Sequence, residues 1–130
     1  MEQTEYADVL SVNVTGEPGA YQFAVEVASP DTGCEQYADW WEILSQDGKL
    51  LYRRILLHSH ANEQPFTRSG GPVAIEADTS VYVRAHMNNN GYGGQVLYGS
   101  VQNGFETVKV EAGFGSELER IPPQPEDCAF

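Results

Sequence analysis

Tyr21-Gln22-Phe23-Ala24-Val25-Glu26-Val27 decides the reading of this chain. Large apolar side chains fall on every second residue, and polar or small ones lie between them. A strand turns successive side chains to opposite faces, so this stretch has one face for a core and one for water. It stops at Ser29-Pro30-Asp31-Thr32-Gly33, because proline and glycine interrupt a ladder. Working outward, the same period recurs at short spacing. Leu10, Val12 and Val14 form a strand before it, with a turn from Gly16 to Gly19 between the two. A third strand lies around Trp40 to Leu44, and Gln46-Asp47-Gly48 makes a tight hairpin turn, since Asp-Gly readily takes positive φ. Leu50 to Leu57 returns as the fourth. A polar loop, Ser59 to Gly71, leads to a fifth strand opened by Val73 and Ile75. In the sixth, Val81, Val83, Ala85 and Met87 alternate with Tyr82, Arg84 and His86. Asn88 to Gly91 turns into a seventh around Val96 to Val101, and Val108 and Val110 add an eighth.

No segment of useful length carries a helical period. Seven to eight short strands separated by turn signals predict an all-β fold, a single antiparallel β-sandwich of fibronectin type III or immunoglobulin-like kind, with a small barrel as the main competitor. The stretch Asp78 to Ala85 resembles the sixth strand of fibronectin type III domains, although Tyr82 is out of phase with the apolar positions and gives no tyrosine corner. Residues 1–112 are expected to form the sandwich. Residues 113–130, with Pro122, Pro123 and Pro125, form an irregular tail packed on it.

The chain has 130 residues, enough for one domain with its own core. It holds 19 acids against 7 lysines and arginines, a net charge of −12. Such a field repels phosphate, so nucleic acid is not an expected partner, nor is an anionic membrane surface. No apolar run suggests membrane insertion, and no basic-plus-apolar N-terminal segment suggests a signal peptide. The expectation is a monomer.

Cys34 and Cys128 stand in a Gly-containing turn and in the proline-rich tail, with no Cys-x-x-Cys pair. Bridged, they would hold the ending Asp127-Cys128-Ala129-Phe130 against the first third of the domain. That bridge would imply a periplasmic or extracellular location, with Met1 in place of a removed export signal; two unbridged thiols would imply the cytoplasm.

The charge is unevenly placed. Residues 50–90 contain Arg53, Arg54, Arg68 and Arg84 against Glu63, Glu76 and Asp78, together with His58, His60 and His86. With neutral histidines this segment carries +1 and the remainder −13. If Leu50 to His60 stays extended, Tyr52, Arg54, Leu56, His58 and His60 share one face, and Tyr82, Arg84 and His86 share the polar face of the sixth strand. Two such faces on one sheet would bring together a patch of Arg54, His58, His60, Arg84 and His86, flanked by Glu63 and Arg68 in the loop. Three readings compete. His58, His60 and His86 could ligate Zn or Cu, with Glu63 as ligand or ring acceptor, against which the arginines argue. The arginines could instead grip an anionic small molecule, since a guanidinium fork matches carboxylate or phosphate. In the third and commonest case they pair with the chain's own carboxylates and no cofactor is held.

Tyr37, Trp40, Trp41, Tyr92 and Tyr98 could form a platform for a glycan, but adjacent Trp40 and Trp41 must point to opposite faces of a strand. Catalysis finds little support. Ser59 has no Gly-x-Ser-x-Gly elbow around it, and Ser69-Gly70-Gly71-Pro72 lacks a phosphate-loop lysine. Asn13-Val14-Thr15 matches a glycosylation acceptor. The expected function is a non-enzymatic binding or structural module for a protein, an anionic small molecule or a glycan. A His-based metal protein and a carbohydrate-binding module are the alternatives.

Three stretches, Ser29 to Glu42, Tyr52 to His60 running on to Arg68 to Pro72, and Val81 to Met87, together resemble a group of small uncharacterised bacterial proteins, some of them exported. The resemblance covers the middle of the chain. It implies a sandwich and export, and carries no substrate, cofactor or catalytic residue.

Overall fold

The computed structural model describes residues 5–126 and 128; residues 1–4, Met1 among them, and residues 127, 129 and 130 of the chain's ending lie outside the described residues. Eight strands follow in order: β1 (Asp8–Glu17), β2 (Ala20–Ala28), β3 (Ala38–Ser45), β4 (Leu50–Ile55), β5 (Phe66–Val73), β6 (Val81–Met87), β7 (Val96–Ser100) and β8 (Gly104–Val108). They make two antiparallel sheets, β1-β2-β5 and β4-β3-β6-β7-β8. The core lies between them. Phe23, Val25 and Val27 of β2 face Trp41 and Ile43 of β3 and Val81, Val83 and Ala85 of β6. Full burial of each valine, isoleucine or phenylalanine among them contributes about 1.5–3 kcal/mol. This is the antiparallel β-sandwich that period-two alternation predicts. Among the described residues no helix is long and apolar enough to cross a membrane.

Three details depart from the sequence reading. In β1 the pairing with β2 shifts between Val9 and Ser11. This bulge flips the phase, so Val9 is buried and Leu10, expected inside, is 40% exposed. The fourth strand ends at Ile55, so His58 and His60 do not continue the face of Tyr52 and Arg54. The fifth strand begins at Phe66, inside the stretch read as a polar loop. It lacks apolar alternation because β4 supplies part of its core face. A Cβ on Gly70 would lie 2.8 Å from the Tyr52 hydroxyl and 2.9 Å from its ring, so the tyrosine occupies the space that a side chain would fill.

The segment after β8 crosses back over the outer face of the five-stranded sheet. It contains one short 3₁₀ helix, Ser116–Arg120, and is otherwise irregular. Cys34 and Cys128 are joined, with Cα atoms 5.7 Å apart, fastening the end of this segment to the loop between β2 and β3.

Candidate functional site

Alternation along β3, the central partner of β4 and β6, sends Trp41 and Ile43 into the sandwich and Trp40, Glu42 and Leu44 to the opposite face. The register then places Glu42 directly across from Arg53 on one side and Arg84 on the other. Glu42 is wholly buried, and Arg84 is only 2% exposed. Arg53 donates from Nε to Glu42 Oε1 at 2.8 Å, and Arg84 from Nε to Oε2 at 2.7 Å. The remaining guanidinium hydrogens turn outward to the crossing segment. Arg53 donates to the carbonyls of Leu118 (2.6 Å), Ile121 (2.5 Å) and Pro123 (2.9 Å). Arg84 donates to Phe114 (2.7 Å) and Gly115 (2.9 Å). Each guanidinium also lies over a ring, Arg53 on Trp40 at 4.1 Å and Arg84 on Tyr92 at 3.5 Å. One carboxylate therefore orients two arginines, and the arginines clasp five carbonyls that have no strand partner.

His86 completes this layer. Its ring stacks on Trp40 with centroids 3.8 Å apart. Nδ1 faces Asp39 Oδ1 at 2.6 Å, and Nε2 faces Glu119 Oε2 at 2.7 Å, so a residue of the 3₁₀ helix is tied to the sheet. Two nitrogen–carboxylate contacts need two protons, and a neutral imidazole supplies one. The second sits on the ring or on a carboxyl. Burial raises the Asp39 carboxyl's pKa above its ordinary value, against a smaller lowering by His86. Burial, and secondarily the charge of Glu42, push the Tyr92 hydroxyl far up, so it stays un-ionised.

The sequence-predicted site residues divide among separate places. Arg84 and His86 belong to the clasp. Arg54, one residue from Arg53 and hence on the other face, donates from Nε to Ser69 O at 2.8 Å and links β4 to β5. His60, Glu63 and Arg68 form a second cluster at the sandwich end. Arg68 Nη2 is 2.9 Å from His60 Nε2 and 3.2 Å from Glu63 Oε1. A guanidinium only donates, so His60 Nε2 accepts and the ring is neutral with its hydrogen on Nδ1. Burial, then Arg68, lower the His60 pKa. The ring stacks on Phe66 at 3.9 Å. Buried Asp31 pins this corner, accepting from Ser29 Oγ (2.7 Å) and from the backbone N–H groups of Ala38 (3.0 Å) and His60 (2.7 Å). His58 is exposed. Among the described residues no group of three or more His, Cys, Asp or Glu is arranged to hold a metal.

Sequence reasoning missed Glu42, Arg53, Asp39 and Glu119 as site residues. One signal was present: counting outward equally from the Asp47-Gly48 turn pairs Glu42 with Arg53. Glu119 had none, because it arrives from an irregular segment. Trp40, Trp41 and Tyr37 are all buried and present no open platform. An open cleft of about 900 Å³ does lie beside the clasp, lined by Tyr6, Tyr92 and Phe114 with Asn89, Gln95 and Lys109 among its polar groups.

No family model and no solved structure matches the chain. Over 99 residues, 75% of its length, the chain is 39% identical to a protein of Halomicrobium mukohataei described as "Putative lipoprotein". It spans about half (49%) of that relative's length.

Proposed function

We propose that this chain is a non-enzymatic structural or binding module that works outside the cytoplasm. The observation that carries the reading is the use of its buried charges. The guanidiniums of Arg53 and Arg84 are directed at Glu42 and at five backbone carbonyls, so their donors fasten a segment of the chain itself instead of facing a ligand. The Cys34–Cys128 bond supports the location, because disulfides persist in oxidising compartments. So does the likeness to a protein described as a lipoprotein. The strand order supports an immunoglobulin-like class. First, second and fifth strands share one sheet, and third, sixth and seventh the other, which is the partition of such domains; β4 joins the second sheet and β8 is added at its edge.

Fractionation of the native cells, with thiol alkylation before and after reduction, tests the location. The expected result is protein in the membrane or external fraction whose two cysteines alkylate only after reduction. Cytoplasmic protein with two reactive thiols would refute it. Titration of Zn²⁺ or Cu²⁺ checks the role of the histidines: saturable one-to-one shifts of the His58, His60 and His86 ring signals would overturn the structural reading. A second reading, a glycan ligand, is favoured by the rings of Tyr6, Tyr92 and Phe114 beside amide groups in one cleft. Amide NMR with soluble oligosaccharides should then shift residues 89–95 and 107–114, and shifts elsewhere would count against it.

A further inference from the structure

We propose that Asn13 is an N-linked glycosylation site, a reading that rests on the extracytoplasmic location proposed above. Asn13-Val14-Thr15 fits the acceptor pattern Asn-x-Ser/Thr, in which x is not proline. A three-residue pattern is common by chance, so the structure must add to it, and it does so in three ways.

First, both recognition side chains face water. Val12 and Val14 pack against the core, and the residues between and after them, Asn13 and Thr15, are exposed on the outer face of the three-stranded sheet. Neither side chain is engaged in a hydrogen bond within the described residues. Second, the surface beside Asn13 is low. Directly opposite on β2 stands Ala24, and opposite Ala24 on β5 stands Ser69, so small residues continue the row across the sheet. A sugar on Asn13 can lie along this row, between Gln22 and Glu26, which flank Ala24 on the same face. Third, β1 is an edge strand of 10 residues, and nothing from Val9 to Gly16 carries charge. Its start is covered where Val9 N–H donates to Gln95 O at 3.0 Å and Gln95 Nε2 donates to Val9 O at 2.9 Å. Beyond that no strand among the described residues pairs with this edge. The other three edges carry ordinary protection: Arg53 and Arg54 on β4, Arg68 and Pro72 on β5, and a mere 5 residues with Glu106 on β8. A long uncharged edge invites pairing with another chain, and a bulky hydrophilic group at its middle blocks that approach.

The modification is a group transfer from a lipid-linked oligosaccharide by a membrane-bound transferase. Asn13 Nδ2 forms a bond to the anomeric carbon, the bond from that carbon to the phosphate oxygen breaks, the lipid phosphate leaves with the electron pair, and Nδ2 loses one proton. The Thr15 hydroxyl is the group that the transferase reads.

The test uses protein isolated from its own cells, with thiol state and fraction recorded on the same sample. Cleavage at glutamates releases Tyr6–Glu26, because the Glu17-Pro18 bond resists. The expected peptide is heavier than its sequence by whole sugar residues and yields sugar fragment ions. Asn13→Gln and Thr15→Ala expressed in the same host lose that mass, and Thr15→Ser retains it. An unmodified peptide from bridged, externally located protein would overturn the glycan and leave the location standing. Retention of the added mass in Asn13→Gln would also overturn it. Cytoplasmic protein with reactive thiols would overturn both.

Discussion

Replacing Glu42 by glutamine keeps the shape of the buried layer and removes its only central negative charge. Arg53 and Arg84 would then face a neutral amide whose nitrogen cannot accept, in a place where Glu42 is wholly buried. Losing one partner of a buried ionic group costs about 3–5 kcal/mol, since the remaining charge is left without compensation. That is a large part of the roughly 5–15 kcal/mol that keeps a domain folded. For a chain of this size it corresponds to a fall in Tm of about 10–20 °C. Urea unfolding and calorimetry with the disulfide intact would measure it. A second variant separates global from local effects. Glu42→Leu with Arg53→Met and Arg84→Met replaces all three charges by apolar groups, an exchange that is often neutral for the fold. It nevertheless withdraws the donors from the carbonyls of Phe114, Gly115, Leu118, Ile121 and Pro123. The triple variant should fold with near-native stability while the amides of Ser116, Leu118 and Ile121, now protected by local turns, exchange fast. The reasoning fails if Glu42→Gln loses less than about 1 kcal/mol, or if those amides stay protected in the triple variant.

Other outcomes follow from the same geometry. Serine at both Cys34 and Cys128 opens a loop with a sequence separation of 94 and should cost up to about 4–5 kcal/mol in urea unfolding, while the clasp keeps residues 114–121 docked below the transition. Gly70→Ala drives a methyl against Tyr52 and should cost about 1–3 kcal/mol by the same assay, with no loss expected from Gly19→Ser beyond its turn strain. His60 and Asp39 give opposite pH slopes. His60, with its pKa lowered from 6.5, binds fewer protons folded than unfolded, so stability falls as pH drops below 6.5, and Arg68→Gln should soften that fall. Asp39, with its pKa raised from 3.8, binds more protons folded, so its contribution is greatest below 3.8 and is lost as pH climbs through the folded value; Asp39→Asn should flatten that limb.

What could be read from the chain beforehand follows from which forces are local. The alternation of β2 and β6 is written in their own residues, and both strands fall where the pattern puts them. The spacing and setting of the cysteines likewise suggested the bond that joins them. Leu10 defeats the pattern because a bulge, set by pairing with β2, reverses the phase within one strand. β5 is invisible because its core face is filled by Tyr52 from a neighbouring strand. The candidate patch is divided among separate places for a related reason. A polar face on β6 was correctly placed opposite the apolar one, but its exposure depends on residues 114–123, whose path no period encodes. The choice of Arg54 over Arg53 turned on assuming that the strand ran through His60, whereas it ends at Ile55.

The bond between Cys34 and Cys128 also determines how the molecule would carry load. Everything from β3 to β8 lies inside the covalent ring that it closes, and only β1 and β2 lie outside. Tension applied between residue 5 and residue 128 passes from the C-terminal segment through sulfur directly into the loop after β2, bypassing six strands. The extensible part is the stretch ahead of Cys34, which at roughly 3.3–3.6 Å per residue releases only about 10 nm of chain. Reduction would return the whole domain to the load path. Pulled in this way, the oxidised chain would extend little and its body would be shielded from force, and the first strands to yield would be the two that pair with each other and, through β2, with β5.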